Sequence, residues 1–182
     1  MTELREILPQ ATAWIGELLE RHQHAAKSVA SFGFKRLPGY FAKDTLERAR
    51  VVLLDAVPKP PLTAWGLAAM ADFEAQEDDG ITFENLYFLK HSCALDESLH
   101  LHELIHTIQW QVLGSEQFLL VYAQGHLASG GYAGNPLERI AFDLQGRFQQ
   151  SHVAFGVEPL ALEHLNSTVP ALVAREWSGS NP

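Results

Sequence analysis

Cysteine is nearly absent from this chain. Cys93 is the one cysteine in 182 residues, so no internal disulfide can form. A reduced, cytoplasmic setting is the expectation, and Cys93 itself reads as a small buried hydrophobe. Long apolar runs are also missing. Nothing approaches the roughly 20 residues a membrane helix needs. The first residues, Met1-Thr2-Glu3-Leu4-Arg5-Glu6, lack the basic and apolar regions of a secretory leader. Positive charge is scarce: 13 Lys and Arg stand against 22 Asp and Glu, a net charge of −9. With no basic stripe to neutralise phosphate, nucleic acid is excluded as a partner. Repeats and low-complexity segments are absent too.

What is present is an apolar fraction of 47%, enough for one real core. The length predicts a single domain, 1–182. Its parts read as an N-terminal helical portion (1–45), a small sheet leading into a central helix (46–114), and a second helical portion (115–182). The fold class expected is α+β, mostly helical, with a small mixed sheet.

The central helix carries His102-Glu103-Leu104-Ile105-His106, an H-E-x-x-H pattern. Positions i and i+4 of a helix share a face, roughly 6 Å apart. Two imidazoles placed so can hold one Zn²⁺ from the same side. Glu103 then projects beside the metal, where it can take a proton from a bound water. The local context supports a helix over about 97–113. Asp96-Glu97-Ser98 suits its start, Leu101, Leu104, Ile105 and Ile108 form an apolar stripe, and Gly114 reads as the stop. His102, His106, Gln109 and Leu113 fall on a neighbouring stripe. The competing reading is a pair of core histidines on a buried face.

A catalytic zinc site needs a third protein ligand and one open position. Thr107-Ile108-Gln109-Trp110-Gln111-Val112 lacks the Gly and third His of a metzincin continuation. Four later residues carry suitable donors: Glu116, His126, Glu138 and Asp143. Glu116 lies on the turn leaving the motif helix, and His126 lies within a helix expected over 115–129. Glu138 has the best setting. Gly130-Gly131-Tyr132-Ala133-Gly134 is a loop, and Asn135-Pro136 opens a new helix running to about Gln150. The intervening helix spans roughly 22 Å, long enough to run out and let the loop bring the next helix back. Asn135-Pro136-Leu137-Glu138 also fits a capping box, in which Glu138 would serve the helix end instead. The upstream motif favours the ligand role. Ala141, one turn on, is small enough for close helix approach.

His102-Glu103-Leu104-Ile105-His106-Thr107-Ile108-Gln109 and Asn135-Pro136-Leu137-Glu138-Arg139-Ile140-Ala141 together resemble the gluzincin branch of the zincin metallopeptidases. They resemble in particular small bacterial zincin-like proteins. The resemblance implies one Zn²⁺ held by His102, His106 and Glu138, with Glu103 as general base and a peptide or protein as substrate. It departs from the family at position 142. An Asp that orients a ligand histidine would be expected there, but the residue is Phe142, and Asp143 comes one residue late.

Tyr132 is the first candidate for stabilising an oxyanion and His126 the second. Ile81–Lys90 reads as a strand before the motif helix, rich in β-branched and aromatic residues, and the resemblance would make it the edge strand above the zinc. The function expected is a zinc-dependent hydrolase, most plausibly a peptidase. The alternative is a metal-binding protein on the same scaffold without turnover.

Elsewhere the chain reads as scaffold. A helical stretch over Thr2 to about Ala30 is broken or restarted at Pro9. His22 and His24 are solvated, and Ser31–Gly39 is loop. Asp44–Arg48 is a short helix, and Ala49–Ala56 holds a strand. Pro58-Lys59-Pro60-Pro61 is an extended connection, and Leu67–Phe73 is a short helix. Pro159–Ala174 holds one or two helices, and Ser178–Pro182 is a frayed tail.

Overall fold

The computed structural model describes residues 2–178, with side chains for 4–170. The tail expected at Ser178–Pro182 lies outside the described residues apart from Ser178 itself. The described residues form seven α-helices and four strands, with the last four helices in succession after the sheet, an α+β fold that is mostly helical. No helix among the described residues is long and apolar enough to cross a membrane.

The first helix, α1 (Thr2–His22), runs unbroken through Pro9. This corrects the expected break. The stripe Leu4, Ile7, Leu8, Ala11, Ile15 and Leu18 is buried on both sides of the proline. That continuous burial holds the helix despite the missing N–H. His22 is half-buried, its ring edge-on to Phe88 at 5.3 Å, whereas His24 is exposed as expected.

The sheet has the order β1-β2-β4-β3, from β1 (Lys27–Ser28), β2 (Arg50–Leu54), β3 (Gly80–Phe83) and β4 (Leu86–Lys90). β2 and β4 are parallel, and the two outer pairings are antiparallel. The sheet is thus mixed, and it draws one strand from the portion read as helical. The expected strand Ile81–Lys90 is in fact a hairpin. Its turn at Glu84-Asn85 holds Glu84 at a φ of 58°. No glycine marks that turn, so the usual hairpin signal is absent from the sequence. Two short helices, α2 (Lys43–Arg48) and α3 (Ala71–Ala75), lie in the connections. Short 3-10 turns at Val29–Phe32 and Leu37–Gly39 occupy the expected loop, and another at Ala68–Met70 leads into α3.

α4 (Glu97–Leu113) is the axis of the molecule. Asp96 caps it, accepting from the amides of Ser98 and Leu99, and Gly114 ends it at a φ of 73°. Such a cap contributes about 1 kcal/mol. The helix is not half-exposed like an ordinary amphipathic one. Every residue from His100 to Trp110 is buried, between the sheet on one side and α6 and α7 on the other. Six of them are polar, and a buried polar side chain needs a partner. α5 (Ser115–Ser129), α6 (Pro136–Gln150) and α7 (Val157–Ser178) complete the chain. α7 is a single helix in which Pro159 falls in the first turn, where no N–H is required.

Three apolar clusters hold these elements. One joins Val51, Tyr87 and Leu89 of the sheet to Leu104 of α4 and Ala141 of α6. A second joins Phe83 and Phe88 to Trp110, Phe118 and Leu165. The third is a satellite: Leu4, Ile7 and Leu8 of α1 pack with Leu62, Leu67 and Met70 against Leu120 and Ala123 of α5. It lies over one side of the polar face of α4.

Candidate metal centre

His102 and His106 lie one turn apart on α4, and Glu138 comes to them from the first turn of α6. Ala141 is fully buried in the seam between the two helices, where its small size permits the close approach. One ligand atom from each of the three residues falls within 4.8 Å of the others. The two Nε2 atoms are 3.1 Å apart. Glu138 Oε2 sits 3.3 Å from each of them. All three residues are buried. The group can hold a metal ion.

The hydrogen bonds around the histidines show why. Gln109 donates through Nε2 to the Leu137 carbonyl at 3.0 Å, which turns its amide oxygen toward His106. His106 Nδ1 then donates to that oxygen at 2.8 Å. His102 Nδ1 likewise donates to Gln145 Oε1 at 3.1 Å. With the outer nitrogens carrying the protons, both Nε2 atoms present lone pairs inward. Tyr122 donates to Glu138 Oε1 at 2.7 Å, whereas Oε2 is buried with no hydrogen-bond partner. With both imidazoles neutral, three acceptor atoms therefore converge, and a cation, whether a shared proton or a metal ion, satisfies them.

The charges follow the same logic. Burial pushes the His106 imidazole down, but the adjoining Glu138 carboxylate outweighs it and carries the group up to about 9. Burial pushes Glu138 up, but His106 and His102 together hold its carboxyl well below the ordinary range. Its place in the first turn of α6 adds the favourable end of the helix dipole. A metal ion binding here displaces the proton that His106 otherwise holds.

Glu103 faces the same cavity. Thr82 on β3 donates to its Oε2 at 2.6 Å. The other oxygen lies against the Cα of Gly80, where any side chain would collide with it and with Leu89. Glycine at position 80 thus makes room for the carboxylate. Burial raises the pKa of Glu103.

Asn135 and Pro136 open α6 as expected. Asn135 Oδ1 accepts from the Leu137 amide at 3.1 Å. The capping box is not formed. The Asn135 amide donates to the Tyr132 carbonyl at 3.0 Å instead, leaving Glu138 to the histidines. Tyr132 lines the cavity, and burial, with the Glu138 carboxylate adding to it, raises its phenol well above the ordinary value.

The other candidates stand apart from the triad. Glu116 and Asp143 are exposed. His126 is buried, but its Nε2 is engaged by Asp72 at 2.9 Å, and it does not line the cavity. The oxyanion role considered for His126 therefore has no support in its position. Cys93 is half-exposed in a short 3-10 turn rather than buried. Phe142 is 42% exposed, its ring 4.7 Å from that of His102 and 5.7 Å from that of Tyr132. It forms a rim where a carboxylate was expected, and Gln145 takes over the orienting of His102.

Two participants escaped the sequence reading. Gln145 lies seven residues past Glu138, two helical turns on, and so shares its face. Tyr122 lies four residues past Phe118 on the buried side of α5, a spacing also read as ordinary core. The chain matches no family model, no curated protein and no solved structure.

Proposed function

We propose that this protein is a zinc-dependent hydrolase that cleaves an amide bond, in the manner of a metallopeptidase. The observation that carries the reading is the convergence of three buried acceptor atoms on one point with a buried carboxylate, Glu103, beside them. Zinc bonds of roughly 2.0–2.1 Å in a tetrahedron place ligand atoms about 3.3 Å apart. The two Nε2-to-Oε2 distances are 3.3 Å. Two neutral nitrogens and one carboxylate oxygen also make a donor set suited to catalytic zinc.

Bound there, zinc would acidify a water and polarise a substrate carbonyl. The chain's own groups do the rest. Tyr122 holds Glu138 Oε1, so the carboxylate offers one oxygen to the site. Gln109 and Gln145 fix the imidazole tautomers. Glu103, with a pKa raised by burial, accepts the water proton as the water oxygen adds to the carbonyl carbon. It delivers that proton to the nitrogen as the carbon–nitrogen bond breaks. Tyr132 remains protonated and can donate to the oxygen on which charge develops.

The enclosure of the site favours a second reading, a metal-binding protein without turnover. His102, Glu103, His106 and Glu138 are 3–5% exposed. Elemental analysis and hydrolysis assays on the wild type and Glu103→Gln separate the two. The hydrolase reading expects one zinc in both proteins and a rate lowered about 10²–10⁴-fold in the variant. One zinc in both with equal rates would leave only a metal site.

A further inference from the structure

The cavity that reaches the triad is far more apolar than a site for a polar substrate requires. Its walls come from Leu4, Leu8 and Ala11 of α1, from Leu67 and Met70 before α3, and from Phe118 of α5. Among the described residues, no Lys or Arg lines it. Asp78, the one lining carboxylate away from the triad and Glu103, is paired with Lys59. Tyr132 belongs to the triad end, where its phenol feels the Glu138 carboxylate, and the remaining polar side chains are already committed. Thr82 donates to Glu103, Trp110 Nε1 to the Thr82 carbonyl at 3.1 Å, and Tyr122 to Glu138. Among the described lining residues, the buried side-chain atom without a hydrogen-bond partner is Glu138 Oε2, which faces the histidines.

Between α1 and α5, away from the triad and from the edge strand β3, an occupant therefore finds no free side-chain donor or acceptor. A peptide backbone placed there would bury unpaired N–H and C=O groups, at about 1–3 kcal/mol each. A hydrocarbon group strands nothing. The volume is about 100 Å³, less than the roughly 150 Å³ of an apolar cavity that takes benzene. Resting on the hydrolase reading above, we infer that the site selects a small substrate carrying an uncharged aliphatic group of about four carbons beside the scissile carbonyl, rather than a polypeptide. The group lies between α1 and α5, and the carbonyl lies at His102, His106 and Glu138. That group can belong to a short acyl chain or to an amino-acid side chain, since both present the same surface to the wall.

The test is a series of straight-chain alkyl hydroxamates, from acetohydroxamate to dodecanohydroxamate, titrated calorimetrically into the zinc-loaded full chain. Leucine hydroxamate, free and extended by two further residues, distinguishes the sources. The dissociation constant should fall about three- to fourfold per methylene up to about four carbons beyond the carbonyl, then stop falling. Tight binding by free leucine hydroxamate alone would assign the group to a side chain, and tight binding by the alkyl series would assign it to an acyl chain. Either supports the pouch. Ala11→Leu, which fills it, should shorten the preferred chain. Leu8→Ala, which enlarges it, should lengthen the chain, with circular dichroism verifying the fold of each. Binding that is independent of chain length, or tightest for the peptide-extended compound, overturns the inference and leaves the metal site standing. Failure of every hydroxamate removes the metal reading instead. Hexan-1-ol then decides the pouch in metal-free protein. It should raise Tm in the wild type but not in Ala11→Leu, and no rise in either would overturn the pouch.

Discussion

His100 and the pair His102–His106 sit on one helix, all three buried, and they have opposite chemistry. His100 is matched on both sides. Its Nε2 donates to the Ala94 carbonyl at 3.1 Å, and its Nδ1 accepts from Tyr87 at 2.5 Å. Phe32 and Phe34 pack against the ring, and burial lowers its pKa. Such a residue is finished: each nitrogen has a complementary partner, and no ion is needed. His102 and His106 are matched on the outside alone. Their inner nitrogens face each other and a carboxylate oxygen, which in the neutral imidazoles sets acceptor against acceptor. A buried histidine is structural when its partners complement it and a ligand when they converge with it. Sequence cannot separate the two cases, because all three histidines lie within seven residues of one helix.

The sharpest way to break the contrast is to remove the convergence. Glu138→Gln replaces the charged oxygen with a neutral amide beside two lone pairs. Zinc affinity should fall by more than about 100-fold, beyond the range expected for an outer-shell change, as read by competition with a chromogenic chelator. Unchanged affinity would mean that Glu138 is not the third ligand.

The next effect is smaller and concerns the outer partners. Gln109→Leu and Gln145→Leu each leave one histidine free to turn or to change tautomer. Zinc affinity should drop about 10- to 100-fold in each. The Gln109 change should cost more, because that amide is itself locked to the Leu137 carbonyl and is fully buried. Equal affinity in both variants and the wild type would show that the tautomers are not held by these amides. Smaller again is Tyr132→Phe. It should slow hydrolysis with zinc content unchanged, and an unaltered rate would make Tyr132 a packing residue.

Much of this centre was legible in the chain. The five residues from His102 to His106 place two imidazoles and a carboxylate at the candidate site, and the helix expected over 97–113 is the one observed. Asn135-Pro136 located the start of the helix that carries Glu138. Local signals of that kind survive folding because capping and helical spacing act within a few residues. The parts that were not legible depend on distant packing. Nothing in Leu4–Ile15 says that this stripe closes over α5 near the metal centre. Tyr122 and Gln145 have spacings shared with ordinary core and surface residues. The hairpin at Glu84-Asn85 carries no glycine, and Pro9 is overridden by burial on either side. The capping box was a sound local alternative for Glu138. It lost because the loop carbonyl of Tyr132 takes the Asn135 amide, a contact set by the path of the preceding turn.

The smallest expected effect on metal comes from the matched histidine, which makes it the control for the whole contrast. Tyr87→Phe removes the donor to His100 Nδ1 and leaves a buried acceptor unpaired. Denaturant unfolding should show a loss of about 1–3 kcal/mol, because neither nitrogen can reach water at a site with 0% exposure. Zinc affinity should stay within about twofold, since surface-distant stability changes of this kind add independently of a separate site. Tyr87 lies one strand in from the sheet edge, paired with Thr82, and Thr82 in turn holds Glu103. That connection gives the experiment its edge. If zinc affinity falls along with stability in Tyr87→Phe, the two histidine environments are coupled through the sheet, and the division between a finished site and an unfinished one is a matter of degree.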